Sequence, residues 1–166
     1  MLIKHYSFKV KNDRNKPIFH DITDQINNFV SKSSVKNGIA IIYSQHTTCS
    51  VIIQEESHDA IYDGTKFILQ DLLDIFEKII PKCKKEREYL HPGPKHINHA
   101  SKNLNEDPIW SLNTDAHLRS VILGRSESIP IIDKKLELGE FGQIYFVDFD
   151  SVRKRERIVH LQIMGE

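Results

Sequence analysis

The sequence predicts an α+β fold: β-sandwich-like sheets with two or three helices, in a single domain over residues 1–166. Three observations predict it. Apolar residues recur at every second position near both ends of the chain, the mark of strands with one buried face. Residues 56–80 change to a three-to-four spacing, the mark of an amphipathic helix. Strands flank helices instead of alternating with them, which argues against a regular βαβ repeat. A chain of 166 residues suits one domain and buries roughly two thirds of its unfolded surface, so it needs no disulfide or metal merely to fold.

Residues 2–10 place Leu2, Tyr6, Phe8 and Val10 on one parity and predict a strand. Ile22, Ile26, Phe29 and Val30 follow helical spacing, with Thr23 or Asp24 as the expected cap. Asn37-Gly38 signals a turn. Ile39 to Tyr43 and Thr47 to Ile53 are β-rich, and their closeness predicts a hairpin, or one strand with a bulge near His46. Phe67, Ile68, Leu72, Ile75, Phe76, Ile79 and Ile80 form the widest apolar stripe, ended by Pro81, with Gly64 marking an irregular start. Residues 82–112, rich in Pro, Gly and polar side chains, predict an irregular loop over 92–110, and a loop so long is usually functional or disordered. A short helix is expected from Asp115 to Leu123, capped by Asn113 or Thr114 and closed by Gly124. Ser128 to Ile132, Gln143 to Phe149 and Arg157 to Met164 complete the strands. The second is apolar on both faces and therefore central. In the third, Val159, Leu161 and Ile163 face one side, His160 and Gln162 the other.

Composition narrows the function. Lys plus Arg and Asp plus Glu both total 23, so the formal net charge is zero. That argues against a dedicated nucleic-acid binder. No apolar run approaches a membrane span, and no signal-peptide core follows the N-terminus. Cys49 and Cys83 are too few for a disulfide scaffold and read as reduced thiols, Cys49 buried and Cys83 exposed, which points to a cytoplasmic protein.

The unusual count is histidine, at nine. His46, His91 and His117 each stand beside a break in regular structure. Three imidazoles from separate segments can hold a divalent metal such as zinc, with one position open to water. The plainer alternative is three hydrogen-bonded loop histidines. His96 and His99 form a weaker pair in the loop. Glu55, Glu56, Asp59 and Asp115 are candidates for orienting a histidine, or simply for a solvated helix start. Arg119, two residues beyond His117, suits a phosphate. The run from Arg153 to Arg157 reads as a solvated turn.

Several segments resemble one family in order along the chain. His46-Thr47-Thr48-Cys49-Ser50 resembles its His-Thr-Thr/Ser signature, and Tyr89-Leu90-His91 its Tyr-x-His. Asn113-Thr114-Asp115-Ala116-His117-Leu118-Arg119, running to Leu123-Gly124, resembles its Asn-Ala-Asp-Ala-His-Leu-Lys segment and the Leu-Leu-Gly after it. Ser128 to Ile131, Leu136 to Gly139 and the terminal Gly165-Glu166 resemble its later motifs. This is the YjbQ family, also called UPF0047. The resemblance implies an α+β homotrimer with a polar histidine site, built from His46, Glu55, His91, Asn113 and His117. Members are often labelled secondary thiamine-phosphate synthases, which implies a transferase joining two phosphorylated molecules with loss of pyrophosphate, and Mg in place of zinc. On this resemblance a metal-assisted enzyme is expected, acting on a small phosphorylated molecule. His46, His91 and His117 would hold the metal or substrate, and Arg119 would meet a phosphate. The alternative is a non-catalytic, metal- or ligand-binding trimer. One departure stands out: where the family reads Leu-Gly-Thr-Trp-Gln, this chain reads Leu138-Gly139-Glu140-Phe141-Gly142.

Overall fold

The structure, a computed structural model, describes residues 1–13 and 15–166. Eight strands and four α-helices follow in the order β1 (Leu2–Asn12), β2 (Ile18–Asp21), α1 (Thr23–Lys32), β3 (Gly38–Ser44), β4 (Cys49–Glu55), α2 (Phe67–Ile79), α3 (Pro94–Leu104), α4 (Thr114–Leu123), β5 (Ser126–Ile132), β6 (Lys135–Leu136), β7 (Gly142–Asp148) and β8 (Arg155–Gly165) among the described residues. A 3₁₀ turn, Pro108–Ser111, lies between α3 and α4. The strands form two antiparallel sheets, ordered β1-β8-β3-β5-β6 and β2-β7-β4. This is the α+β class expected, with one more helix than the sequence indicated.

The strands alternate as period two demands. On β8, Val159, Leu161 and Ile163 are fully buried, and they meet Ala40 and Ile42 of β3 and Ile129 and Ile131 of β5 on the inner face of the larger sheet. Ile144 and Phe146 of β7, with Val51 of β4, pack against that face from the smaller sheet, and α1 adds Ile26 and Val30 at the edge, with Ile22 just before it. The other face of the smaller sheet presents Ile52, Tyr145 and Val147 to Leu69 and Phe76 of α2 and Ala116 of α4. β7 is thus covered on both faces and central in its sheet, as its double-sided apolarity predicts.

Three local expectations are corrected. β3 and β4 are neither a hairpin nor one bulged strand: they belong to different sheets, and residues 44–49 carry the chain across between them. The 92–110 segment is not an irregular loop. Pro94 opens α3 at the position where a missing N–H costs nothing, and Asn105 closes it in the left-handed conformation. At α1, neither Thr23 nor Asp24 supplies the capping oxygen. Asp21 does, accepting from Thr23 N–H at 3.0 Å, while Thr23 Oγ accepts from Ile144 N–H at 2.8 Å and ties the helix to β7. No described helix is long and apolar enough to cross a membrane.

Candidate functional site

The crossover from β3 to β4 is a tight turn. Ser44 Oγ accepts from His46 N–H, and His46 O accepts from Cys49 N–H. The turn sets the His46 ring against β8, where Nε2 accepts from Ile158 N–H at 3.0 Å. An imidazole nitrogen that accepts has no proton, so the proton of neutral His46 is on Nδ1. Burial, and then the Arg157 charge, hold His46 below the usual histidine range.

Beneath this turn lies a buried ionic floor. Asp148 closes β7, Asp150 follows it, and both are fully buried. Arg157 Nε and Nη2 donate to the two oxygens of Asp148 at 2.8 and 3.0 Å, and Nη2 also reaches Thr48 Oγ at 3.1 Å. Asp150 lies 3.3 Å from Arg155 and 3.4 Å from Arg157, and accepts from Asn113 Nδ2 at 3.5 Å. Two buried carboxylates therefore fix two arginines that could not otherwise be desolvated.

Above the floor is a cavity of about 360 Å³. One wall is Arg153, Arg155 and Arg157; another is His46, Asn113 and His117; α3 and the 3₁₀ turn cover it with His96, His99 and Trp110. Burial lowers the His117 pKa, while the Thr47 carbonyl accepts from its ring and acts in the opposite sense. His91 packs edge-on to His96, with ring centres 4.6 Å apart, and lies 6.0 Å from His117. Burial lowers its pKa too, with His96 and His117 adding to the effect. Three buried donors, Arg153 Nε, Arg155 Nε and Ser111 Oγ, have no hydrogen-bond partner among the described residues. Burying a donor unpaired is costly, so a group of them at one cavity marks a place for an acceptor.

The cavity thus gathers His46, Asn113 and His117, with His91 beside it, and leaves two expected residues elsewhere. Arg119 is buried on the far side of α4, where Nε and Nη2 donate to Ile80 O at 3.1 and 2.7 Å and Nη2 to Glu77 at 2.7 Å. It ties α4 to the end of α2 and does not line the cavity. Glu55 is exposed at the opposite end of β4, roughly 20 Å of strand from Cys49. It lines a separate groove with Phe141 and Gly142, so the Phe-Gly departure falls there and not among the histidines. Asp115 orients no histidine: it accepts from Cys83 N–H at 3.0 Å. The groups that fix the histidines are backbone, Ile158 N–H and Thr47 C=O. Cys83 is buried, not exposed; Cys49 is buried as expected, and burial beside Asp148 pushes its thiol pKa far up. No three described His, Cys, Asp or Glu side chains are grouped to hold a metal ion, and the Nε2 lone pair of His46 is already engaged.

The arginine wall is what the sequence reading missed. Arg155 and Arg157 continue the parity of Val159, Leu161 and Ile163 on β8, and Arg153 joins them from the loop before it. The face that is apolar core at one end of β8 is cationic cavity wall at the other. Local charge density hid a signal that the strand period carried.

The family model described as "UPF0047 protein YjbQ-like" matches residues 6–166. The chain belongs to the YjbQ/UPF0047 family. A UPF0047 protein of Archaeoglobus fulgidus is 34% identical over 139 residues, covering 84% of this chain and 86% of the relative. The UPF0047 protein MJ1081 of Methanocaldococcus jannaschii is 29% identical, covering 97% and 94%. Among solved structures, the hypothetical protein APE1520 of Aeropyrum pernix superposes with a TM-score of 0.72 at 27% identity, covering 98% of this chain and 99% of that one. A YjbQ/UPF0047 protein of Clostridium acetobutylicum gives 0.70 at 26%, covering 96% and 99%. These UPF0047 descriptions state no activity, so function has to be read from the cavity.

Proposed function

We propose that the cavity binds the phosphate or diphosphate group of a small molecule, and that the protein is a transferase-type enzyme using His46 and His117 on that ligand. The observation that carries this reading is the arginine wall, with the Nε groups of Arg153 and Arg155 buried and unpartnered. Guanidinium donors suit phosphate oxygens in paired geometry. His46 contributes an Nδ1–H donor and His117 a ring nitrogen able to take a proton. Such a site suits the reaction implied for thiamine-phosphate synthase-like members, in which the leaving pyrophosphate takes up negative charge that donors can stabilise. Asp148 and Asp150 offset much of the arginine charge, so the wall acts through directed hydrogen bonds more than through net charge.

The ring contacts of His91 with His96 and with His117 leave a second reading, in which an added divalent cation such as zinc draws these rings, ungrouped in the structure, around itself beside the cavity, with or without catalysis. One experiment addresses both. Metal-stripped protein is titrated with inorganic pyrophosphate by calorimetry, before and after adding zinc or magnesium. Binding without metal, weakened about tenfold or more in Arg155→Gln, is the expected result, since one charged hydrogen-bonded contact is worth roughly 1.5–3 kcal/mol. Binding that appears only after metal is added would favour the second reading. Equal affinity in Arg155→Gln would sink the arginine wall as the anion site. The same proposal includes a homotrimeric assembly and, for a chain whose two cysteines are both free, a cytoplasmic location.

A further inference from the structure

Glu106 lies just beyond the left-handed end of α3, on the cover of the cavity. Its Oε1 accepts from Arg153 Nη2 at 2.6 Å. The same guanidinium lies over the Trp110 ring, 4.5 Å from its centre, while its Nε is buried without a partner. One arginine thus holds the covering segment to the loop before β8 by two contacts, and keeps a donor in reserve. The pair is not sealed: the side chains of Arg153 and Glu106 are 21% and 25% exposed. A partly solvated ion pair of this kind is weak.

A carboxylate on a cavity arginine occupies the role that a ligand oxyanion would fill. The two differ in what they offer. A carboxylate has one charge and two oxygens. Glu106 engages Nη2 alone, whereas a phosphate dianion has more charge and three free oxygens, enough to meet Nη2, the unpartnered Nε and a second arginine of the wall together. We propose that Glu106 is an internal competitor for the anion position: it holds Arg153 when no ligand is present and yields it to a phosphate group, loosening the 94–111 cover. The proposal rests on the anion-binding reading given above and adds a rule of selection to it. A ligand carboxylate only matches Glu106 in charge and gains little in the exchange, whereas phosphate and diphosphate esters bring more charge and win it. The substrate class is therefore phosphorylated, and carboxylated analogues of the same shape are excluded by the protein's own side chain.

The chain has a single tryptophan, Trp110, so tryptophan emission reports on the cover of the cavity, where that ring meets Arg153. The full chain is titrated with pyrophosphate and, separately, with malonate, following tryptophan emission and heat, in wild type and in Glu106→Gln. Glu106→Ala serves as a second variant should the first fold poorly. The expected result is a change of Trp110 emission with pyrophosphate in the wild type, an affinity about three- to tenfold higher once Glu106 is neutral, and malonate binding only in the variants. Pyrophosphate binding to the wild type with unchanged or lower affinity in both variants would overturn the competitor role and leave the anion pocket standing. No pyrophosphate binding to any form would overturn the anion pocket, and this inference with it.

Discussion

At the scale of single residues, the histidines are defined by what occupies one nitrogen of each ring. Ile158 N–H fixes His46 as an Nδ1 donor, while burial lowers the His117 pKa against the opposing pull of the Thr47 backbone. Neither role was legible in the sequence, because the partner is backbone, and backbone partners leave no signature in residue type. That His46 and His117 stand beside breaks in periodicity was legible in the sequence, whereas Asn113 entered the site only through the family resemblance. Burial holds His46, His91 and His117 below the unfolded value of 6.5. Between the folded and unfolded values the unfolded chain binds more protons, so acid favours unfolding. Their contribution to stability is full above about pH 6.5 and is lost as the pH falls through the folded values. Thermal melts from pH 7.5 down to 5 should show the midpoint falling, and falling less in His117→Gln. A variant that tracks the wild type at every pH would contradict the shift at His117.

Between elements, Arg119 shows why neighbourhood in sequence misleads. It lies two residues from His117, but a helix turns about 100° per residue, so two positions apart means opposed faces. His117 faces the cavity; Arg119 faces α2. Removing the guanidinium in Arg119→Met leaves Ile80 O without its donors and Asp115 without its nearest cation. A loss of about 2–3 kcal/mol is expected in urea unfolding, discounted because Glu77 is half exposed. Pyrophosphate affinity of the folded variant should stay within twofold of wild type. A variant of unchanged stability and lost affinity would return Arg119 to the site. The same logic explains the 92–110 segment. Its Pro-Gly-Pro opening reads as loop by composition, yet Pro94 at the first position of α3 is a helix start.

For the whole molecule, large apolar side chains remain exposed on several elements, among them Ile75 and Ile79 of α2 and Val121 and Ile122 of α4. Such surface is more than scattered exposure when neighbours on one helix share it. The proposed homotrimer gives it a use. Sedimentation equilibrium should then return three times the chain mass of 19.3 kDa. A mass of one chain at micromolar concentration would remove the trimer, and with it any role for a second subunit at the cavity.

The sequence by itself determined the α+β class, the buried faces of β8 and β7, and the collinear motifs that define the family. Each of these is written in local periodicity or in residue order. The tertiary structure alone decided that β3 and β4 separate into two sheets, that His46 lies at their crossover, and that Arg153, Arg155 and Arg157 line a cavity with His117. Strand pairing is a contact between distant segments, and no local pattern states which sheet a strand joins. The arginines could face inward only because Asp148 and Asp150, at the end of a neighbouring sheet, were there to hold two of them. That compensation exists in three dimensions and nowhere in the order of residues.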